Sequence, residues 1–435
     1  MQANLETVST LGRKMSIVVP MDGIKKEIKT RIGKLSKTVK VPGFRPGKVP
    51  LSIVEKQYGG QVRNEVLSDE IGKNFGKAIQ EQNLKVAGLP KIDVENKEED
   101  ADNFEFVATF EIYPEITYKD LDGVELKNPV LEVGDDEINK TLEIMRDQRK
   151  TYVSDEKSVE DSDQVKLDFK GTIDGEPFDG GSGEGVVMTL GEGRLVADFE
   201  SNLKGLKAGD SKSFPVKFPE EYPSKEVAGK EANFEVKVLE VLKPVLPELN
   251  ADFAESLGIE GGDLEKLRQN VQTNVEKEVK NRIEARQKDL VMKALLDQSE
   301  FEVPTALIDE EIERLTGQMR DTFKARGMDA DKIPFPKESF SEEATRRVRL
   351  GLIIADLVEQ HALRATSEQI KGAIDEQAET YEKPEEVRNW YLQNPQNLRG
   401  IESYLLEKNV VQWCLGKFKV SDDKIAFDDL MGTAQ

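Results

Sequence analysis

Along residues 103–113 the apolar Phe104, Phe106, Ala108 and Phe110 are interleaved with Glu105, Thr109 and Glu111. A period of two predicts a half-buried strand. Segments 4–10, 14–19 and 85–95 also read as strands, the first two around Gly12. After residue 20 the period changes. Ile24, Ile28, Ile32 and Leu35 recur at spacings of 4, 4 and 3, one apolar face of a helix over 22–40 that stops before Pro42. Lys25, Lys26, Lys29, Lys34, Lys37 and Lys40 surround its other sides. Pro50 opens a short helix, and residues 61–83 predict another. These elements make a compact α+β unit over residues 1–113.

Residues 114–160 are acidic and mixed; a helix over Asp135–Arg149 sits in what reads as a connector. From 161 to 244 Gly and Pro become frequent, and short alternating runs appear at Val165–Phe169, Val186–Leu190, Ser211–Phe218 and Asn233–Val241. They predict a small antiparallel sheet with one short helix, Asp198–Leu203. Residues 245–435 are helical. Leu264, Leu267, Val271, Val275, Val279 and Ile283 repeat at spacings of 3–4 after Asp263, a residue suited to cap a helix. A helix over 264–299 is on the order of 54 Å long at ~1.5 Å per residue, which predicts a projecting arm. Further helices are expected from Pro304, after the capping-box pattern Ser339-Phe-Ser-Glu342, and over Ser367–Tyr381, Pro384–Gln393 and Leu398–Phe418. The fold class is therefore multidomain: α+β units followed by an elongated all-α domain.

Charge sharpens this division. Residues 1–60 hold 12 Lys/Arg against 4 Asp/Glu, a balance of +8; the whole chain carries −22, so the other 375 residues carry −30. Such asymmetry fits an N-terminal module that meets something anionic, and equally a basic helix that is simply solvated. A net −22 excludes a general nucleic-acid coat protein. One cysteine, Cys414, excludes a disulfide framework, and one histidine, His361, excludes a His-rich metal site. The most apolar run, Leu350–Val358, contains Asp356 and is too short to span a bilayer. The opening residues have neither a basic nor an apolar leader region, so a reducing, cytoplasmic setting is expected.

The loop Gly43-Phe44-Arg45-Pro46-Gly47-Lys48 places an aromatic ring beside two cations on a proline-stiffened tip. Stiffness lowers the entropy lost on docking, while the cations suit phosphate or carboxylate. This string resembles the ribosome-docking signature of the bacterial trigger factor family, and the order of the remaining modules resembles that family along essentially the whole chain. The resemblance implies docking beside the nascent-chain exit tunnel of the large ribosomal subunit, on a protein and nearby rRNA. Phe44, Arg45 and Lys48 would make the contacts, with Gly43, Pro46 and Gly47 shaping the loop. It also implies a helical cradle for nascent and unfolded polypeptides, self-association of the free chain, and no cofactor. Met292, Met319 and Met328 suit adaptable apolar contact or core filling.

Within 161–244, Asp168-Phe169-Lys-Gly171, Asp174-Gly175-Glu-Pro-Phe178-Asp179 and Gly191-Glu-Gly-Arg-Leu195-Val196-Ala-Asp-Phe199 resemble an FKBP-type prolyl isomerase. Phe218-Pro-Glu-Glu-Tyr222 and Ala232-Asn-Phe234 complete the pattern. The implied proline pocket is Phe169, Phe178, Asp179, Leu195, Val196, Phe199, Tyr222 and Phe234; for each ring alone, plain core packing is the competing reading. Val186 stands where the pattern has an aromatic, and Phe199 where many members have Trp. The run Gly180–Gly185 lacks the Lys-Ser/Thr ending of a phosphate cradle and reads as a flap. A free-standing isomerase-chaperone that does not need the ribosome is the alternative reading.

Overall fold

The computed structural model describes residues 2–42, 44, 48–96, 102–191, 193, 195–222, 224, 227–329, 333–379, 381 and 383–432. Two compact units emerge: residues 1–128 with 285–423, and residues 129–284 with 424–435.

The first unit begins with β1 (Gln2–Thr7), β2 (Gly12–Pro20), α1 (Met21–Thr38), α2 (Leu51–Glu81), β3 (Val86–Val94) and β4 (Asn103–Ile112). The strands form an antiparallel sheet in the order β1-β2-β4-β3. Met15 and Ile17 of β2 and Phe104, Phe106, Ala108 and Phe110 of β4 turn to one core, which Ile24, Ile32, Val54 and Val66 of the helices close. The two helices expected over 51–83 are one, continuous through Gly59 and Gly60. Val54, Val62 and Val66 share its buried face, and that packing outweighs the ~1 kcal/mol that each interior glycine costs a helix.

Two short strands follow, β5 (Thr117–Tyr118) and β6 (Glu125–Val130). This stretch, read from sequence as connector, carries core: Ile116, Tyr118, Val124 and the buried Leu126 pack with Leu295, Ile353 and Leu357. The signal was faint because its apolar residues find their partners more than 150 positions away rather than in a local period.

The second unit holds α3 (Asp135–Asp147), β7 (Thr151–Ser154), β8 (Gln164–Ile173), β9 (Glu176–Thr189), α4 (Ala197–Leu203), β10 (Ser211–Lys217), β11 (Glu231–Val245), α5 (Ala251–Ser256) and the start of α6 (Leu264–Gln298). The sheet order is β10-β11-β8-β9, with β7 beside β11. Strand β9 is longer than expected: the glycine run read as a flap lies inside it. Asp174 and Gly175, at φ +51° and +88°, make the tight turn from β8, the positive-φ pair that two-residue hairpins need. Around α3, Ile138 and Leu142 pack with Leu267, Val271 and Val275 of α6.

The rest of α6 returns to the first unit, followed by β12 (Ser299–Glu300, paired with β5), α7 (Thr305–Ala325), α8 (Glu338–His361), α9 (Ser367–Ala378), α10 (Pro384–Gln393), α11 (Pro395–Lys417) and β13 (Lys419–Lys424, paired with β6), while α12 (Phe427–Met431) belongs to the second unit, where Phe427 and Leu430 pack with Ile138 and Leu142. Asp263 caps α6 as expected, its Oδ1 accepting the Glu265 and Lys266 N–H groups at 2.9 and 3.2 Å. The Ser339–Glu342 pattern caps nothing, because α8 already starts at Glu338. A true capping box sits instead at Thr366 and Gln369 of α9. Helix α7 is seated on the N-terminal sheet. Glu111 of β4 accepts the Thr305 hydroxyl at 2.8 Å and the Ala306 N–H at 3.0 Å. Gly88, at φ +74°, leaves room where a Cβ would stand 2.7 Å from that of Ala306.

His361 stacks on Trp413 at 4.2 Å between centroids. The adjacent Cys414 is fully buried, and burial pushes its thiol up to about 12. Because the thiolate is the reactive form, Cys414 is expected to resist a disulfide reagent at neutral pH and to react stoichiometrically once denaturant unfolds the helices. Prompt labelling of the native chain would contradict this burial. Among the described residues no helix is long and apolar enough to cross a membrane.

Candidate functional site

On β8, the alternation that buries Val165 and Leu167 carries Phe169 to the same face. From β11 the buried Phe234 comes up beside it, ring centroids 6.2 Å apart. Phe199 from the first turn of α4 closes edge-on at 5.1 Å from Phe234 and 6.3 Å from Phe169. Val196 is the N-cap of α4, its carbonyl accepting the Phe199 and Glu200 N–H groups. Leu195 and Val196 pack half-buried against the same cluster.

Phe178 arrives by a different device. Lys170 pairs with Ser182 and Thr172 with Pro177, so residues 178–181 all stand opposite Gly171. Such a bulge bends a strand and re-aims a side chain. It folds the Phe178 ring over Gly181, where a Cβ would lie 2.8 Å from the ring, and towards Gly171. A Cβ on Gly171 would stand 2.7 Å from Phe234 and 3.0 Å from Phe178. Glycine at 171 and 181 therefore lets the rings meet, Phe178 and Phe234 edge-on at 6.2 Å. Asp179 is exposed in the bulge. Tyr222 is exposed and rests edge-on against Phe218 at 4.9 Å. Phe218 also touches Phe178 at 6.2 Å, and so joins the two.

The rings offer an apolar, polarisable surface with the Tyr222 phenol at its margin. On the opposite face of the sheet an open hollow of about 620 Å³ is lined by charged and hydroxyl side chains such as Asp168, Lys170, Ser213, Glu235 and Lys237, together with parts of Phe169, Pro177 and Val236. There opposite charges stand across the ladder from one another, Asp168 opposite Lys237 and Lys170 opposite Glu235.

In the N-terminal unit, the expected docking loop is rooted by two buried residues, Val41 and Val49. Phe44 is exposed, its N–H donating to the Val41 carbonyl at 3.1 Å, and Lys48 is exposed. Gly43, Arg45, Pro46 and Gly47 lie outside the described residues.

Comparison with known proteins follows this division. Residues 1–145 match the family described as bacterial trigger factor protein, and residues 263–416 match its C-terminus. Residues 155–239 match the FKBP-type peptidyl-prolyl cis-trans isomerases. A trigger factor of Herminiimonas arsenicoxydans is 46% identical over 99% of both chains, and one of Thiobacillus denitrificans is 44% identical over 100% of both. The chain belongs to the trigger factor family. A solved structure of the trigger factor chaperone is a looser likeness, 18% identical with a TM-score of 0.47 over 96% of this chain and 100% of that one.

In this member of the family, the sheet and α4 bring Phe169, Phe178, Leu195, Val196, Phe199 and Phe234 together, and Tyr222 joins them through Phe218. Sequence reading placed Phe218 in the pattern but not in the pocket, and it left out glycines 171, 181 and 183 as shapers of the cluster. The signal for Phe218 was its place in the Phe-Pro-Glu-Glu-Tyr string. The glycines gave none, since only the bulged register shows which ring each one faces.

Proposed function

We propose that the ring cluster of β8, β9, α4 and β11 is the proline site, and the Gly43–Lys48 loop the ribosome contact, of an ATP-independent chaperone that shelters nascent chains. The observation that carries the first part is the glycine-floored meeting of Phe178, Phe199 and Phe234, an apolar bed with one edge open at Phe178 and Tyr222. Rotation about X–Pro meets a barrier of ~18–20 kcal/mol because resonance gives the C–N bond double-bond character. The planar ground state is the more charge-separated, so an apolar bed disfavours it relative to the twisted transition state. Phe169, Phe199 and Phe234 hold the pyrrolidine ring. Leu195 and Val196 line the side towards α4, and Tyr222 offers a hydroxyl at the rim. Asp179, exposed on the Phe178 bulge, is assigned the part of a carboxylate that polarises the substrate without exchanging a proton.

The loop is supported by the local excess of +8 and by the exposure of Phe44 and Lys48 over buried roots. Its target is the large subunit at the tunnel exit, protein and rRNA together, which sets the chain's workplace in the cytoplasm; off the ribosome it self-associates. Exposed Met319, Met328, Tyr381, Trp390 and Leu392 of the helical part give clients adaptable apolar contact. A catalyst with no proton transfer has no catalytic pKa to cross. Its kcat/KM on a proline peptide is therefore expected to stay level between about pH 6 and pH 8, the range where histidine titrates. A bell-shaped profile would assign acid–base work and refute this mechanism, and a rate no higher than background would refute the site.

A further inference from the structure

We propose that Asp168 is a positioning residue for prolyl isomerisation, acting through the second bulge of β9. The inference rests on the ring cluster being the proline site. Leu167 pairs with Val186 and Phe169 with Gly183, so Glu184 and Gly185 together stand opposite Asp168. Gly185 takes φ +61°, a left-handed conformation that glycine supplies at such bulges. An extra residue in a ladder leaves its amide out of the regular pairing. Asp168 supplies the acceptor: its Oδ1 takes the Gly185 N–H at 2.7 Å, the length of a charge-assisted bond. The carboxylate does this from the far face of the sheet, beside Lys170, Glu235 and Lys237 and away from Phe199 and Phe234, so its part is to position.

The bulge decides which residue of β9 meets Phe169. A Cβ at position 183 would stand 2.8 Å from the Phe169 ring and 2.7 Å from the Val186 side chain. Only glycine fits there. A slip of one residue would bring Ser182 or Glu184 to that place and turn every following side chain over. Phe169 would then be pushed off its edge-on seat against Phe199. Asp168 thus holds the register, the register places Gly183, and Gly183 leaves the Phe169 ring its position in the pocket wall.

The test measures proline-peptide isomerisation by the full chain carrying Asp168→Ala, Asp168→Asn or, as a control on the same face, Glu235→Ala. A misplaced wall is expected to lower kcat/KM in Asp168→Ala on the order of tenfold or more. Asparagine keeps an acceptor oxygen and is expected to restore most of the rate, while Glu235→Ala leaves it unchanged. Amide exchange at Gly185 should quicken in Asp168→Ala at an unchanged melting temperature. Full activity in Asp168→Ala overturns the inference. Should that variant fail to fold, Asp168→Asn decides. Activity and Gly185 protection that move together support the inference; activity that changes without protection, or protection without activity, overturns it. Background activity in the unsubstituted chain would sink the pocket reading instead. Full activity in Asp168→Ala beside an inactive Phe178→Ala sinks this inference alone.

Discussion

Alanine at Phe44, Arg45 and Lys48 together is expected to abolish co-sedimentation of this chain with ribosomes. Two effects combine. If the loop faces rRNA as proposed, removing two cations from it cuts the counterions released on binding, so affinity falls and the remaining binding depends less on salt, by about 0.7–0.9 in the log–log slope per lost phosphate contact. Removing Phe44 deletes an exposed aromatic ring of the loop, and aromatic anchors at an interface centre are commonly worth about 2 kcal/mol or more. The combined loss is on the order of a thousandfold in affinity, enough to move a micromolar complex beyond detection. The fold should not respond, because the loop is rooted by the buried Val41 and Val49, which stay in place, whereas Phe44 and Lys48 are exposed. Circular dichroism and melting would check that. Undiminished binding in the triple variant would move the contact to another surface.

Phe178→Ala is expected to cost isomerisation on the order of ten- to a hundredfold in kcat/KM, since each 1.36 kcal/mol of lost transition-state contact is tenfold and a fully buried phenyl is worth about 1.5–3 kcal/mol. The choice of residue matters. Phe234 is buried and meets four other rings, so its truncation would also remove about 3–5 kcal/mol of stability and blur the reading. Phe178 is half-buried on its bulge; its loss should leave the sheet folded. Refolding assistance by the same variant, with Tyr222→Ala added, should persist if the helical part holds clients by itself. Loss of both activities together would tie chaperone function to the proline site.

The N-terminal sheet could be read from residues alone because its strands alternate and its helix keeps one face. Met15, Ile17, Phe104 and Phe106 have no other way to leave water. What escaped was set by partners distant in sequence. Leu126 and Tyr118 have neighbours beyond residue 290, so no local period announces them. Strand β9 looked like a flap because six residues rich in glycine carry little β-propensity; the ladder with β8 and the Asp168 carboxylate hold it. The ring cluster was legible as a set of residue types, not as an arrangement. Its closeness depends on which glycine faces which ring, and that follows from two bulges. Phe218 had been counted as part of a string and emerges as the contact between Phe178 and Tyr222.

The seating of α7 by Glu111 and Gly88 sets a timetable. Residue 112 ends the N-terminal sheet, whose own core is complete by then. The helix that Glu111 caps starts only at Thr305. At roughly 5–20 residues per second, synthesis brings that helix out on the order of ten to forty seconds later. For that interval Glu111 has no amide to receive and the Gly88 notch has no occupant. Before it can attend any other polypeptide, each new copy of this chain passes through a stage in which it is itself an unfinished one.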